Sequence, residues 1–203
     1  MTDMRYEAPE SLDAAIALLS GADGGGRVMA GGTDVLVQLH AEMIEPSVLV
    51  DIKNIPDVRV MSESDGAWTV GAAVAGMKII DDAGFSAAGP GVCEGVALIG
   101  SMQVKGRASI GGNLCNASPA ADSVPPLIAA DAVATIIGPN GTREEAVENI
   151  ITGPGKTSLS DGEFIVSFAF PKRVAHSGDC YLRLTPRTEM DIAVVGISAN
   201  LTL

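Results

Sequence analysis

Leu12, Ala15, Ile16 and Leu19 recur at helical spacing behind Ser11, a residue suited to capping, so the pattern predicts a helix over 11–20. GADGGG (21–26) breaks it. Arg27-Val28-Met29-Ala30 then reads as a short buried strand, Gly31-Gly32 as a turn, and 34–43 as a second helix that Thr33 can cap. SVLVDI (47–52) is a further strand after Pro46, which makes the opening a strand–turn–helix–strand unit of α/β type. Composition shifts after Pro56. Residues 58–61 and 67–70 flank a polar SESDG and read as an antiparallel hairpin, with Trp68 as hairpin packing. Helical spacing returns over 74–82 and 91–99, followed by a polar, glycine-rich stretch over 100–122. Leu127–Ala130 forms a short apolar segment, 132–137 reads as a strand turned by GPNGT (138–142), and EFIVSFAF (163–170) is a strand stopped by Pro171. Residues 191–203 run apolar to the last position and read as an unfinished element.

Composition narrows the function classes. Of 203 residues, 13 are Lys or Arg and 25 Asp or Glu, a formal charge of −12 that disfavours a nucleic-acid or anionic-membrane binder. Three scattered cysteines (Cys93, Cys115, Cys180) do not make a disulfide scaffold, a zinc finger or a four-cysteine cluster, and His40 and His176 stand too far apart in sequence to suggest a histidine metal centre. No apolar run approaches the roughly 18 residues of a spanning helix, and the N-terminus lacks a signal-peptide core, so a cytoplasmic location is expected. Aromatic residues are 3% while glycines number 24, a balance that suits close approach of backbone to backbone or to a ligand.

Two glycine pairs carry the candidate chemistry. In the first, Val28-Met29-Ala30-Gly31-Gly32-Thr33-Asp34-Val35, a strand enters a double glycine and opens a helix, where bare N–H groups suit a phosphate. The second, Ser109-Ile110-Gly111-Gly112-Asn113, precedes a polar cluster of Asn116, Ser118, Asp122 and Ser123. Neither is a P-loop or a GxGxxG fingerprint, and each alone can be a plain turn. A pyrophosphate bound between them would rely on N–H dipoles, because few basic side chains lie nearby in sequence. No Ser/His/Asp or Cys/His set and no carboxylate pair is evident, so a cofactor must carry any reaction.

Together these stretches resemble the FAD-binding medium subunit of the molybdenum hydroxylases, the family of carbon monoxide, nicotinate and xanthine dehydrogenases. AGGTDVL (30–36) is similar to that family's first flavin loop. QVKGRASIGGN (103–113) is similar to its second, which ASPAAD (117–122) continues, and Arg187 with DIAVV (191–195) resembles the stretch closing the FAD domain. The resemblance implies an α+β, vanillyl-alcohol-oxidase-type (PCMH-like) FAD-binding fold of two α/β lobes: 1–55 with the first FAD loop, 56–177 with the second, and 178–203 as a closing segment that begins a truncated C-terminal domain. Relatives are longer by roughly a hundred residues, so the expectation is either a fragment or a separate chain supplying that domain. The relatives' additional four-cysteine cluster is not expected.

The resemblance also implies site roles. Ala30–Val35 would wrap the pyrophosphate from one side, and Ser109, Gly111, Gly112 and Asn113 from the other. Asp122 would face the ribose or adenine, while Ile99, Gly100 and Ser101 would lie near the ring system, with Arg183 placed as a cation beside the isoalloxazine. Cys115 could touch flavin or fill space as a small hydrophobe. Asp122 could equally cap the segment at Ser123, Arg107 could pair with an acid, and Tyr181 could stack on flavin or fill the lobe interface. The implied function is electron transfer: a large partner would carry a molybdenum-pterin cofactor and a small partner two [2Fe-2S] clusters, from which electrons pass through FAD on this chain to an external acceptor. The alternatives are a stand-alone FAD-dependent oxidase or dehydrogenase of the same fold and a non-catalytic nucleotide-binding assembly module.

Overall fold

A computed structural model describes residues 4–23, 25–187 and 191–203. Arg5–Glu7 forms β1, too short for its apolar pattern to announce. Helix α1 (Leu12–Ser20) follows, with Ser11 accepting the Ala14 N–H as expected of a cap. Then come β2 (Gly26–Met29), α2 (Val35–His40) and β3 (Val48–Asp51). The three strands make a parallel sheet in the order β1-β3-β2, so fully buried β3 is central and β2 lies on an edge.

The next hairpin sits further along than the sequence pattern places it. Asp57–Arg59 is a turn of 3-10 helix, β4 is Met61–Ser64 and β5 is Ala67–Gly71. Asp65 and Gly66 both take positive φ, 52° and 87°, so the two-residue Asp-Gly turn, which tolerates that geometry, sets the register and leaves Ser62 to Ser64 in the strand. Helices α3 (Gly76–Asp81), α4 (Ala83–Ala88) and α5 (Pro90–Ala97) follow. The polar stretch over 100–122 is partly helical. It holds α6 (Met102–Lys105), capped by Ser101, and α7 (Ile110–Asn116), capped by Ser109. Both are too short for an apolar period to show, and both depend on their serine caps.

After α8 (Val124–Ala129), β6 (Val133–Gly138) and β7 (Gly141–Ala146) form the hairpin that GPNGT implies. A small hairpin, β8 (Ile151–Gly153) with β9 (Lys156–Thr157), leads to β10 (Phe164–Phe170). The second sheet is antiparallel in the order β4-β5-β10-β6-β7, with β10 at its centre. β11 (Ser177–Leu184) and β12 (Val195–Thr202) close the chain as an antiparallel ribbon. Its Leu182, Leu184, Val195 and Ile197 are exposed, while Tyr181 is buried toward the helices.

One core packs α3, α4, α5, α7 and α8 on the second sheet around Phe85, Ile110, Leu114, Leu127 and Phe168. Trp68, Phe85 and Phe170 meet edge to face there, with ring centroids 5.4 and 5.1 Å apart. A second core joins Ala15, Val48 and Val50 of the first sheet's side to Phe164 and Val166 of β10. β10 therefore serves both layers, and this is why the edge of β2 faces α7 and the approach to β10.

The candidate cofactor cavity

A cavity of about 270 Å³ runs between the edge of β2, the start of α2, helix α7 and the segment over 157–165. The first glycine loop shapes it. A Cβ on Gly31 would stand 1.9 Å from the Arg107 carbonyl oxygen and 2.6 Å from its carbon, so the two loops touch backbone to backbone and only glycine fits. Gly32 follows with φ of +80°, which turns the chain into α2. From behind, Lys53 Nζ donates to the Ala30 carbonyl at 2.8 Å and pairs with Asp51 at 2.7 Å, while the Tyr6 hydroxyl donates to Asp51 Oδ2 at 2.7 Å. Burial acts to raise the Asp51 pKa, but the hydrogen bonds from Lys53 and Tyr6 outweigh it and hold the carboxyl below its usual value.

Backbone donors at this loop are left over. Among the described residues, the N–H groups of Gly31, Gly32, Thr33, Asp34 and Val35 have no acceptor, and Asp34 at the start of α2 makes no capping hydrogen bond. Gly32 and Val35 are buried. Buried N–H groups are almost always paired, so a run of open donors beside a cavity fits an anionic group, and a pyrophosphate has the oxygens to take several. Partial desolvation raises the Asp34 carboxyl, which lessens its opposition to such an anion.

The second loop is built differently. Ser109 Oγ accepts the Gly112 N–H at 3.1 Å, so that donor is spent on the cap. A Cβ on Gly111 would meet the Ala72 carbonyl oxygen at 2.6 Å, whereas one on Gly112 would meet only Ser109 Oγ, at 3.3 Å. Asn113 Oδ1 accepts from Ser123 Oγ at 2.7 Å and from the Ser123 N–H at 3.3 Å. Across the cavity, Gln38 Nε2 donates to Asn116 Oδ1 at 2.9 Å, tying α2 to α7. Burial pushes the Cys115 thiol up to about 11, against a lowering influence from Arg27, so Cys115 lines the wall as a protonated thiol.

Residues 2–173 match the family described as the FAD binding domain in molybdopterin dehydrogenase. The chain belongs to this family. It is 35% identical over 179 residues to the xanthine dehydrogenase FAD-binding subunit of Escherichia coli O157:H7, covering 87% of this chain and 61% of that protein. It is 30% identical over 183 residues to the carbon monoxide dehydrogenase medium chain of Hydrogenophaga pseudoflava, covering 90% and 64%. The chain thus spans less than two thirds of these relatives' length. Among solved structures, carbon monoxide dehydrogenase from H. pseudoflava superposes with a TM-score of 0.90 at 30% identity, over 95% of this chain and 67% of that one. Quinoline 2-oxidoreductase from Pseudomonas putida 86 superposes with 0.90 at 28%, over 98% and 69%. The mixed α/β architecture is therefore that of the molybdopterin-dehydrogenase FAD domains.

Within this FAD-domain fold, Val28, Ala30 to Val35, Ile99, Ser109, Gly111, Gly112, Asn113 and Cys115 all line the cavity. Other residues singled out from the sequence lie elsewhere. Met29 is buried with Val35 and Leu49, Gly100 takes φ of +53° ahead of α6, and Ser101 caps that helix by accepting the Val104 N–H. Asp122 and Arg183 do not line the cavity but bind each other. Arg183 Nη1 donates to Asp122 Oδ2 at 2.8 Å and to the Leu98 carbonyl at 3.3 Å, and the Tyr181 hydroxyl donates to Asp122 Oδ1 at 2.8 Å. The reason is charge burial. Asp122 is 8% exposed, and a carboxylate that deep needs a cation and donors, which the closing ribbon brings. Tyr181 accordingly fills the interface between ribbon and helices. Burial and the neighbouring carboxylate push its phenol well up. Arg107 contributes its carbonyl against Gly31 and forms no ion pair among the described residues. Asp191 accepts the backbone N–H groups of Arg187 and Ile192.

Sequence reasoning missed the wall over 157–165, which includes Thr157, Ser160, Asp161 and Gly162, as well as Arg27 and Gln38. Asp161-Gly162 reads as an ordinary turn before a strand. Nothing local says that it faces β2.

Proposed function

We propose that this chain holds FAD in the cavity, its pyrophosphate on the open N–H groups of Gly31 to Val35, and that it is the flavin-carrying part of a molybdenum hydroxylase. The run of unpaired donors at a glycine loop is the observation that carries the reading, because it calls for an anion where the chain offers little positive charge. FAD supplies the exchange between electron-pair and single-electron transfer. The chain's own residues bind and orient it: Gly31 lets the loops close on one another, the Ala30 carbonyl is pinned by Lys53, and Ile99, Ala72 and Ala108 give the lining apolar surface that excludes water.

In this reading the fold is of the vanillyl-alcohol-oxidase type, with lobes dividing near 55 and 177. A small partner with two [2Fe-2S] clusters delivers electrons, a large partner with a molybdenum-pterin cofactor oxidises the substrate, and a cytoplasmic setting provides the external acceptor. No helix among the described residues is long and apolar enough to cross a membrane. The test is the absorption spectrum and released flavin of the purified chain after FAD is offered. A stoichiometric, yellow complex whose released flavin is FAD supports the reading. A colourless protein that leaves FAD free in solution overturns it.

A further inference from the structure

The cavity lining mixes apolar residues with polar and charged ones. Ala108 lies against Gly31, Ala72 against Gly111, and Ile99 adds further apolar lining. Arg27 lies four residues back along β2, roughly 13 Å at the rise of an extended strand. Gln38, Cys115 and Asn116 also line the cavity, and the Gln38–Asn116 bond closes α2 against α7. Arg27 acts on the Cys115 thiol, which brings its charge to this same part of the wall.

Arg27 is the cavity's one basic residue among those that line it, where the charged neighbours are Asp34, Asp161 and Glu163. Glu163 is already paired with Arg143. Arg27 itself is exposed and has no carboxylate partner among the described residues. A chain of net charge −12 thus leaves a guanidinium free beside a cavity whose other charges are negative.

We propose that Arg27 is the residue that selects a dinucleotide over a mononucleotide flavin, by holding the adenosine half of the ligand where the cavity meets the edge of β2. This rests on the FAD reading above. With the pyrophosphate on Gly31 to Val35, the apolar lining accepts the tricyclic ring, and the other arm runs along the edge of β2 toward Arg27. A guanidinium offers a flat cation to stack on a purine and donors for ribose oxygens, and Gln38 Oε1 and Asn116 Nδ2, the atoms the Gln38–Asn116 bond does not use, offer an acceptor and a donor to a purine edge. The distance along β2 separates Arg27 from the phosphate loop, so its contribution falls on adenosine and not on the part that FAD and FMN share.

The experiment titrates the full chain, freed of bound flavin, with FAD and separately with FMN, following quenching of flavin fluorescence, for the parent, Arg27→Gln and Arg27→Lys. Circular dichroism confirms that each variant keeps the fold, as expected for an exposed side chain. FAD affinity should fall roughly tenfold in Arg27→Gln, the size of one lost charge-assisted contact. FMN affinity should change by less than about twofold, and Arg27→Lys should fall between. Unchanged FAD affinity in Arg27→Gln overturns the proposal. Equal weakening of FAD and FMN also overturns it, because Arg27 would then serve the shared half. If the parent binds neither flavin, the FAD reading itself fails and the proposal falls with it, a result distinct from the other two.

Discussion

The two glycine pairs beside the cavity look alike as sequence and differ in what glycine is for. At Gly31-Gly32 the first glycine is pressed on the Arg107 carbonyl, the second bends the chain at φ of +80°, and the donors of the loop stay open. At Gly111-Gly112 the first glycine is pressed on the Ala72 carbonyl, but the second sits in an ordinary helical turn with its donor taken by Ser109. Each pair thus has one glycine that lets backbones meet, and all four line the cavity. Among the described residues the first loop leaves the N–H groups of Gly31 to Val35 without an acceptor, whereas the second spends that of Gly112 on its own serine cap. A double glycine therefore reports close approach, and the hydrogen-bond inventory decides whether what approaches is protein or ligand.

The largest effect should come from breaking the backbone contact between the loops. Gly31→Ala puts a methyl where the Arg107 carbonyl stands, and neither backbone can retreat cheaply, so a loss of about 3 kcal/mol or more is expected from the urea midpoint. A variant as stable as the parent would mean that the loops can part.

Next comes the brace behind the first loop, which the second loop lacks in ionic form. Asp51→Asn should cost about 2 kcal/mol near neutral pH, as its charge-assisted hydrogen bonds to Lys53 and Tyr6 weaken. The Asp51 pKa is lowered in the folded state. Its contribution is therefore fully present above the unfolded value of about 3.9 and is lost as pH falls through the folded value. Stability curves of parent and variant should run apart above the unfolded value and converge as pH falls through the lowered folded value. Curves that stay parallel into acid would remove Asp51 from the brace.

The smallest effect on stability, and a large one on ligand, should follow Gly112→Val. Ser109 Oγ is the one neighbour near the added Cβ, so the fold should survive within about 1 kcal/mol, while the isopropyl group occupies cavity space. FAD content measured after denaturation should drop by most of its value. Full FAD content in a folded variant would move the ligand away from the second loop.

The parts legible beforehand are those whose physics is local. Ser11 caps α1, Asp65-Gly66 and Pro139-Asn140 turn hairpins, and the two glycine loops announce themselves because few residues besides glycine tolerate what they do. Short elements leave less of a mark along the chain. Helices α6 and α7 hide in a polar stretch because four to seven residues carry no visible period.

By itself the sequence determined the βαβ opening, the antiparallel hairpins, the acidic balance and the two loops, since propensity, turn chemistry and charge are properties of neighbours along the chain. Tertiary structure alone decided that Thr157 to Ile165 walls the cavity, that Gly31 meets Arg107, and that Arg183 serves Asp122 and not the cavity. These join residues tens of positions apart. The Asp122–Arg183 pair shows the physical reason most plainly. An acid and a base each look available for a ligand until burial of the acid requires a charge partner, and only the folded chain shows which base lies within 2.8 Å.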